Sequence, residues 1–157
     1  MDAAEREALI DQYEAGYDAV AAALAGITAA GWEAREGPNE WSPREIVHHL
    51  ADSEMTSAIR LRLLIAEEQP TIVGYDQEAF VRELYPDRPI EPSLAAFAAA
   101  RAATVPILRR MTDAQWERTG THTESGHYTV EDWLRIYGVH AHDHAGQIRR
   151  ARATVND

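Results

Sequence analysis

Apolar residues recur at three- and four-residue steps through most of this chain, the spacing of helices that each bury one face. Leu9, Tyr13, Gly16 or Tyr17, Val20 and Leu24 form such a stripe in an Ala- and Glu-rich stretch. It predicts a first helix from Asp2 to about Thr28, ended by Gly26 and Gly31, with Gly37-Pro38-Asn39 as a turn beyond it. Ser42-Pro43-Arg44-Glu45 then combines a serine N-cap, proline at the first helical position and a glutamate placed to close a capping box. A second helix is expected over Pro43 to Glu68, with Ile46, Leu50, Leu61 and Leu64 as its apolar stripe.

A third helix is predicted over Pro92 to Met111, carrying Leu94, Phe97, Ala98, Arg101, Val105 and Leu108 on or near one side. Pro106 should kink it or split it near Thr104. Thr112 to Gln115 reads as another capping box before a short turn, and Thr129 caps a last helix reaching about Ala153. The polar stretch Thr119 to Tyr128 is expected to be irregular. Between the second and third helices, Gln69 to Pro92 has room for one short helix over Asp76 to Tyr85. Such a connection is long for a bundle. It crosses the bundle's length, leaving the second and third helices parallel, or forms a lid over a site, and the two roles are compatible. The sum is a single all-α domain over residues 1–157, a four-helix bundle with a long crossover between helices 2 and 3.

Composition removes several chemistries. The chain has no cysteine, and all 15 of its basic residues are arginine, so thiolate ligands, a cysteine nucleophile and a Schiff-base lysine are excluded. A net charge of −11 without a basic stripe argues against nucleic acid as a partner. Arg149, Arg150 and Arg152 stand where cations oppose the negative end of a helix dipole. No apolar run approaches the roughly 18 residues of a membrane span, and the first residues lack a basic leader. A soluble cytoplasmic protein that does not engage a membrane is the expectation.

The candidate chemistry lies in Tyr137 to Ile148, YGVHAHDHAGQI. His140 and His144 stand one helical turn apart, with Cβ atoms roughly 5 to 6 Å from each other. Their face also carries Trp133, Ile136, Tyr137, Ile148 and Ala151, so the pair looks into the protein. Two imidazoles so placed can converge on one divalent ion, and a third ligand must come from another helix. His49 flanks the apolar stripe of the second helix, whereas His48 is turned about 200° from Ile46, toward solvent. His142 also points outward, and His122 and His127 fall in the irregular stretch. The candidate set is therefore His49, His140 and His144, with hydrogen-bonded core histidines as the ordinary alternative. Their levels match if the second and last helices run antiparallel, since His49 lies about 9 Å into its helix and His144 about 13 Å from the end of its own.

Asp52 and Asp143 are candidate acceptors for imidazole N–H groups. Ser53, Ser57 and Arg60 fall near the centre of the second helix's apolar stripe, a face too polar to close as a dry core, which predicts a cavity wall. Arg60 is equally suited to neutralising a buried acid. Trp133 and Tyr137 are expected in the core. Ala141 follows His140 where a zinc protease helix would carry glutamate, so that motif is absent.

Trp41-Ser42-Pro43-Arg44-Glu45-Ile46-Val47-His48-His49-Leu50-Ala51-Asp52, the Gly126-to-Thr129 turn and His140-x-x-x-His144-x-x-Gln147-Ile148 resemble the DinB/YfiT-like superfamily of metal-dependent enzymes, in order and spacing over essentially the whole chain. The resemblance implies a four-helix bundle, often a homodimer, with zinc or nickel on His49, His140 and His144. It also implies action on a small-molecule substrate. Characterised members include thiol-dependent S-transferases, so the most specific expectation is a detoxification or stress-response transferase using a low-molecular-weight thiol such as bacillithiol or mycothiol. Ser53, Ser57 and Arg60 would then hold the thiol's sugar or carboxylate. A metal-dependent hydrolase and a non-catalytic metal-binding stress-response bundle are the rival expectations.

Overall fold

The computed structural model describes all 157 residues, and most of its helices begin where capping residues stand. Asp2 caps α1 (Ala3–Leu24) by accepting the Glu5 N–H, and Thr28 caps a short α2 (Ala29–Glu33). The Ser42/Glu45 capping box closes as expected at the start of α3 (Pro43–Ala66). After β1 (Thr71–Ile72) come α4 (Gln77–Glu83), capped by Asp76, and α5 (Ile90–Leu108). Thr112 and Thr129 form capping boxes on α6 (Asp113–Trp116) and α7 (Val130–Ala153), and the strands β2 (Thr119–His122) and β3 (Gly126–Thr129) lie between these two helices.

Side-chain contacts fix the directions of the four long helices. Along α1 and α7, Arg6 reaches Glu131, the Gln12 carbonyl meets His142 and the Ala23 carbonyl meets Arg152, so these two helices run parallel. Similarly, His48 meets Ser93, Glu54 meets Arg101 and Arg62 meets Thr104, so α3 and α5 are parallel too. His49 opposite His140 and the Ser57 carbonyl opposite Trp133 make α3 and α7 antiparallel. The long connection is thus the expected crossover. It also forms part of a cavity wall, because Tyr75, Asp76 and Gln77 line a cavity beside α7.

Two apolar clusters fill the interior, separated by a polar layer. One contains Ile10, Tyr13, Leu61, Leu64, Leu108 and Trp133, and the other Val20, Ile46, Leu50, Phe97, Ala145 and Ile148. Between them Arg101 pairs with Glu54 at 3.1 Å, with side chains 2% and 1% exposed. Arg101 also donates to the Tyr13 carbonyl at 2.7 Å and the Tyr137 carbonyl at 2.8 Å, while Glu54 accepts from Tyr13 and Ser57. A buried ion pair survives only when its remaining hydrogen-bonding capacity is met, and here four neighbouring groups meet it. Gly16 leaves room for the guanidinium: a Cβ there would lie 1.9 Å from Arg101 Nη1.

Several expectations are corrected. Thr119 to Tyr128 is not irregular: β2 and β3 form an antiparallel hairpin, and β1 adds in parallel to β2, so the bundle carries a three-stranded sheet. Gly126 adopts φ +79° at the hairpin turn, and Gly120 lets β2 approach the chain closely, since a Cβ there would lie 2.5 Å from the Pro70 carbonyl oxygen. Pro106 does not split α5, which continues to Leu108 without the bond that a residue 106 N–H would make. The first helix stops at Leu24, and α2 is an added turn of helix. His48 is 1% exposed rather than solvent-facing, because α5 packs over it and Ser93 Oγ lies 2.8 Å from its Nδ1. His142 is half-buried against α1, its Nε2 2.8 Å from the Gln12 carbonyl. No helix is long and apolar enough to cross a membrane.

Candidate metal centre

His49 from α3 and His140 and His144 from α7 meet at the edge of the polar layer. The Nε2 atoms of His49 and His144 each lie 3.2 Å from His140 Nε2, and one nitrogen from each ring falls within 4.8 Å of the other two. Tetrahedral coordination at roughly 2.0 to 2.1 Å puts neighbouring ligand nitrogens roughly 3.3 Å apart. The two 3.2 Å edges agree with that spacing. The antiparallel run of α3 and α7 brings the levels together.

Electrostatics keeps the rings neutral, which leaves lone pairs free for a cation. Burial, followed by the charge of His144, pushes His49 down to about 3. For His140 burial again leads, followed by His144, His49 and Arg101, and its pKa falls well below the ordinary imidazole value. His144 is also lowered by burial, with Gln147 and Asp143 acting in the opposite direction. Gln147 Oε1 lies 2.9 Å from His144 Nδ1, which places the ring proton on Nδ1 and turns the Nε2 lone pair toward the centre. Three convergent neutral imidazoles, one with its tautomer fixed by Gln147, fit a divalent cation.

Trp41 covers the outer side. Its ring centroid is 4.6 Å from that of His49, and it stacks on His144 at 6.1 Å with an interplanar angle of 18°. Its indole N–H donates to Glu78 at 3.1 Å, tying this cover to α4. On the inner side, His140 forms part of the wall of a cavity of about 780 Å³, together with Ser53, Arg60, Tyr75, His122, Tyr128 and Tyr137.

The other expected site residues divide. Ser53 and Arg60 line the cavity, but Ser57 does not: its hydroxyl donates to Glu54 inside the polar layer, 3.0 Å from the carbonyl oxygen. Arg60 does not neutralise a buried acid, since Glu54 is taken by Arg101. Asp52 accepts no imidazole proton, because Arg88 holds it at 2.9 Å. Asp143 is exposed and bonded to neither ring, so it acts on His144 through its field alone. Gln147 takes the acceptor role foreseen for these two acids. Its position three residues after His144, on the same helix face, is the sequence signal that marks it. Trp133 and Tyr137 are core residues as expected, although Tyr137 also presents its edge to His140.

Fold and site together define a four-helix bundle of two parallel helix pairs that carries a three-imidazole cluster beside a polar cavity. The chain belongs to the DinB superfamily, whose family model matches residues 12–148. It is 39% identical over 109 residues to a protein of Oceanobacillus iheyensis and 38% identical over 111 residues to YfiT of Bacillus subtilis. Both relatives are named as inferred metal-dependent hydrolases. Each match takes in 69% of this chain, but only 63% and 62% of the respective relative's length. The solved structure of Bacillus subtilis YfiT, described as having an unusual four-helix bundle topology, superposes with a TM-score of 0.92 at 27% identity, covering 99% of this chain and 90% of that one.

Proposed function

We propose that this protein is a divalent-metal-dependent enzyme whose three histidines hold the cation beside a cavity that seats a small electrophilic substrate. The observation that carries the reading is the convergence of the His49, His140 and His144 Nε2 atoms, with His140 also on the cavity wall. When bound, zinc or nickel supplies a Lewis acid that lowers the pKa of a coordinated nucleophile toward neutrality. The chain's own residues do the rest. Gln147 holds the orientation of His144, Trp41 excludes water from the outer side, and Ser53, Tyr75 and Tyr137 offer hydroxyls to the substrate.

The nucleophile separates two readings. A low-molecular-weight thiol such as bacillithiol or mycothiol is the first, making the protein an S-transferase. It is favoured because no carboxylate contacts the triad to serve as general base: Asp52 is held by Arg88, Glu54 by Arg101, Asp143 is exposed and bonded to neither ring, and Asp76 and Glu124 are exposed residues of the cavity rim. Thiols ionise far more readily than water and need no such base. Hydrolysis is the second reading, and the names of the two relatives favour it. Incubation of zinc- and nickel-loaded protein with a chloro-aromatic or epoxide, with and without thiol, separates them. Thiol-dependent conjugation lost in His140→Ala is the expected result. Ester or amide turnover without thiol would transfer the assignment to hydrolysis, and no turnover of either kind would overturn the enzymatic reading.

A further inference from the structure

Two arginines lie in the interior, and only one has an acid. Arg101 is matched by Glu54, whereas Arg60, 9% exposed, forms no ion pair with any carboxylate of the chain. Its Nη1 donates to the Tyr137 hydroxyl at 3.2 Å and its Nη2 to the Val73 carbonyl at 2.7 Å, and its buried Nε has no partner. Neutral oxygens do not neutralise a guanidinium, which stays charged at every accessible pH. A desolvated cation without a counter-charge is costly, so this arrangement is stable chiefly if an anion completes it.

The surroundings are donors. His122 is 9% exposed and lines the same cavity. Its Nδ1 accepts the Glu124 backbone N–H at 3.2 Å, so its ring proton must sit on Nε2, which makes Nε2 a donor. Tyr75 and Tyr128 add phenolic hydroxyls to the cavity wall, and the Arg60 ring distance to Tyr75 is 5.6 Å. Burial raises the pKa of Tyr75, Tyr128 and Tyr137, with the charge of Arg60 opposing it in each case, so all three phenols keep their protons while feeling the same cation. Asp76 and Glu124 belong to the cavity too, but both are exposed at its mouth, where solvent screens them. Inside, the lining offers one fixed positive charge and several hydrogen-bond donors.

We propose that Arg60 and His122 form a carboxylate-binding end of the cavity, so that the substrate is a small carboxylic acid whose other end reaches the three-histidine centre. The inference deepens the reading of this cavity as the substrate chamber and rests on it. Planar carboxylates suit a guanidinium through paired N–H donors, and Nη1 and Nη2 each keep one proton beyond those given to Tyr137 and Val73.

Benzoate and its neutral counterpart benzamide test this by isothermal titration against metal-free and zinc-loaded protein. The expected result is that benzoate binds wild type in both states, that Arg60→Gln weakens it roughly ten- to a hundredfold, and that Arg60→Lys and His122→Phe fall between. Benzamide should bind weakly and equally to all. If Arg60→Gln fails to fold, as judged by its melting transition, His122→Phe carries the comparison. Benzoate affinity that is equal in wild type and variants, or no better than that of benzamide, overturns the proposal. Benzoate binding by metal-free wild type separates this inference from the metal reading, since it requires Arg60 and His122 but no ion.

Discussion

Gln147 Oε1 stands 2.9 Å from His144 Nδ1, one helical turn further along the same face of α7. The contact decides which nitrogen of His144 is free. With Nδ1–H donating to the amide oxygen, Nε2 is the unprotonated atom 3.2 Å from His140 Nε2. Gln147 is itself steadied by Glu40, whose Oε2 accepts its N–H at 3.3 Å. Gln147→Ala should therefore lower zinc affinity by about 10- to 100-fold, while Gln147→Glu, which keeps an acceptor in place, should retain it. Competition against a chelating dye gives the measurement, and an affinity unchanged in Gln147→Ala would contradict the role.

Gly16 should resist the substitution that helix propensity recommends. Replacing an interior helical glycine with alanine ordinarily adds about 0.5 to 1 kcal/mol. Here the new Cβ would collide with Arg101 Nη1 and displace the guanidinium from Glu54 and the Tyr13 carbonyl. Gly16→Ala should instead destabilise, and Arg101→Met should cost roughly 3 to 5 kcal/mol by leaving Glu54 buried without its cation. Denaturant unfolding of the two variants checks both signs; a more stable Gly16→Ala would refute the packing argument.

His48 gives the metal-free protein a sensitivity to mild acid. Burial, followed by the charge of Arg88, lowers it to about 4, whereas an unfolded chain takes up the proton near 6.5. Below that value the unfolded state binds a proton that the folded state refuses, so stability falls as pH drops from about 6.5 toward 4 and then levels. The loss from this residue is on the order of 2 kcal/mol. The triad histidines, also lowered, act with the same sign. Denaturation midpoints between pH 7 and 4.5 should show a shallower decline in His48→Leu than in wild type; equal slopes would remove His48 from the account.

How much of this was legible without coordinates follows from the range of each signal. Caps are local: Ser42 with Glu45, Thr112 with Gln115, and Thr129 are readable because donor and acceptor lie within one turn. The facing of His140 and His144 is likewise a property of one helix. The 100° steps turn His48 outward because they describe one helix in isolation, whereas α3 has a second neighbour, α5, that buries its other side through Ser93. The hairpin leaves no sequence signal because β2 and β3, TGTH and GHYT, are short, mostly polar strands without the alternation that marks longer ones. The partners of Arg60 and Arg101 depend on which helices meet in the polar layer, a long-range fact that no local pattern encodes.

The proposed centre closes three imidazoles from α3 and α7 around one divalent cation. Metal analysis after equilibrium dialysis against zinc or nickel, on wild type and on His49→Ala, His140→Ala and His144→Ala, tests it most directly. One ion per wild-type chain, with a melting temperature that rises on loading, and marked loss of both in each of the three variants is the predicted result. A wild type that takes up no ion, or a His49→Ala variant that keeps one at undiminished affinity, would contradict it.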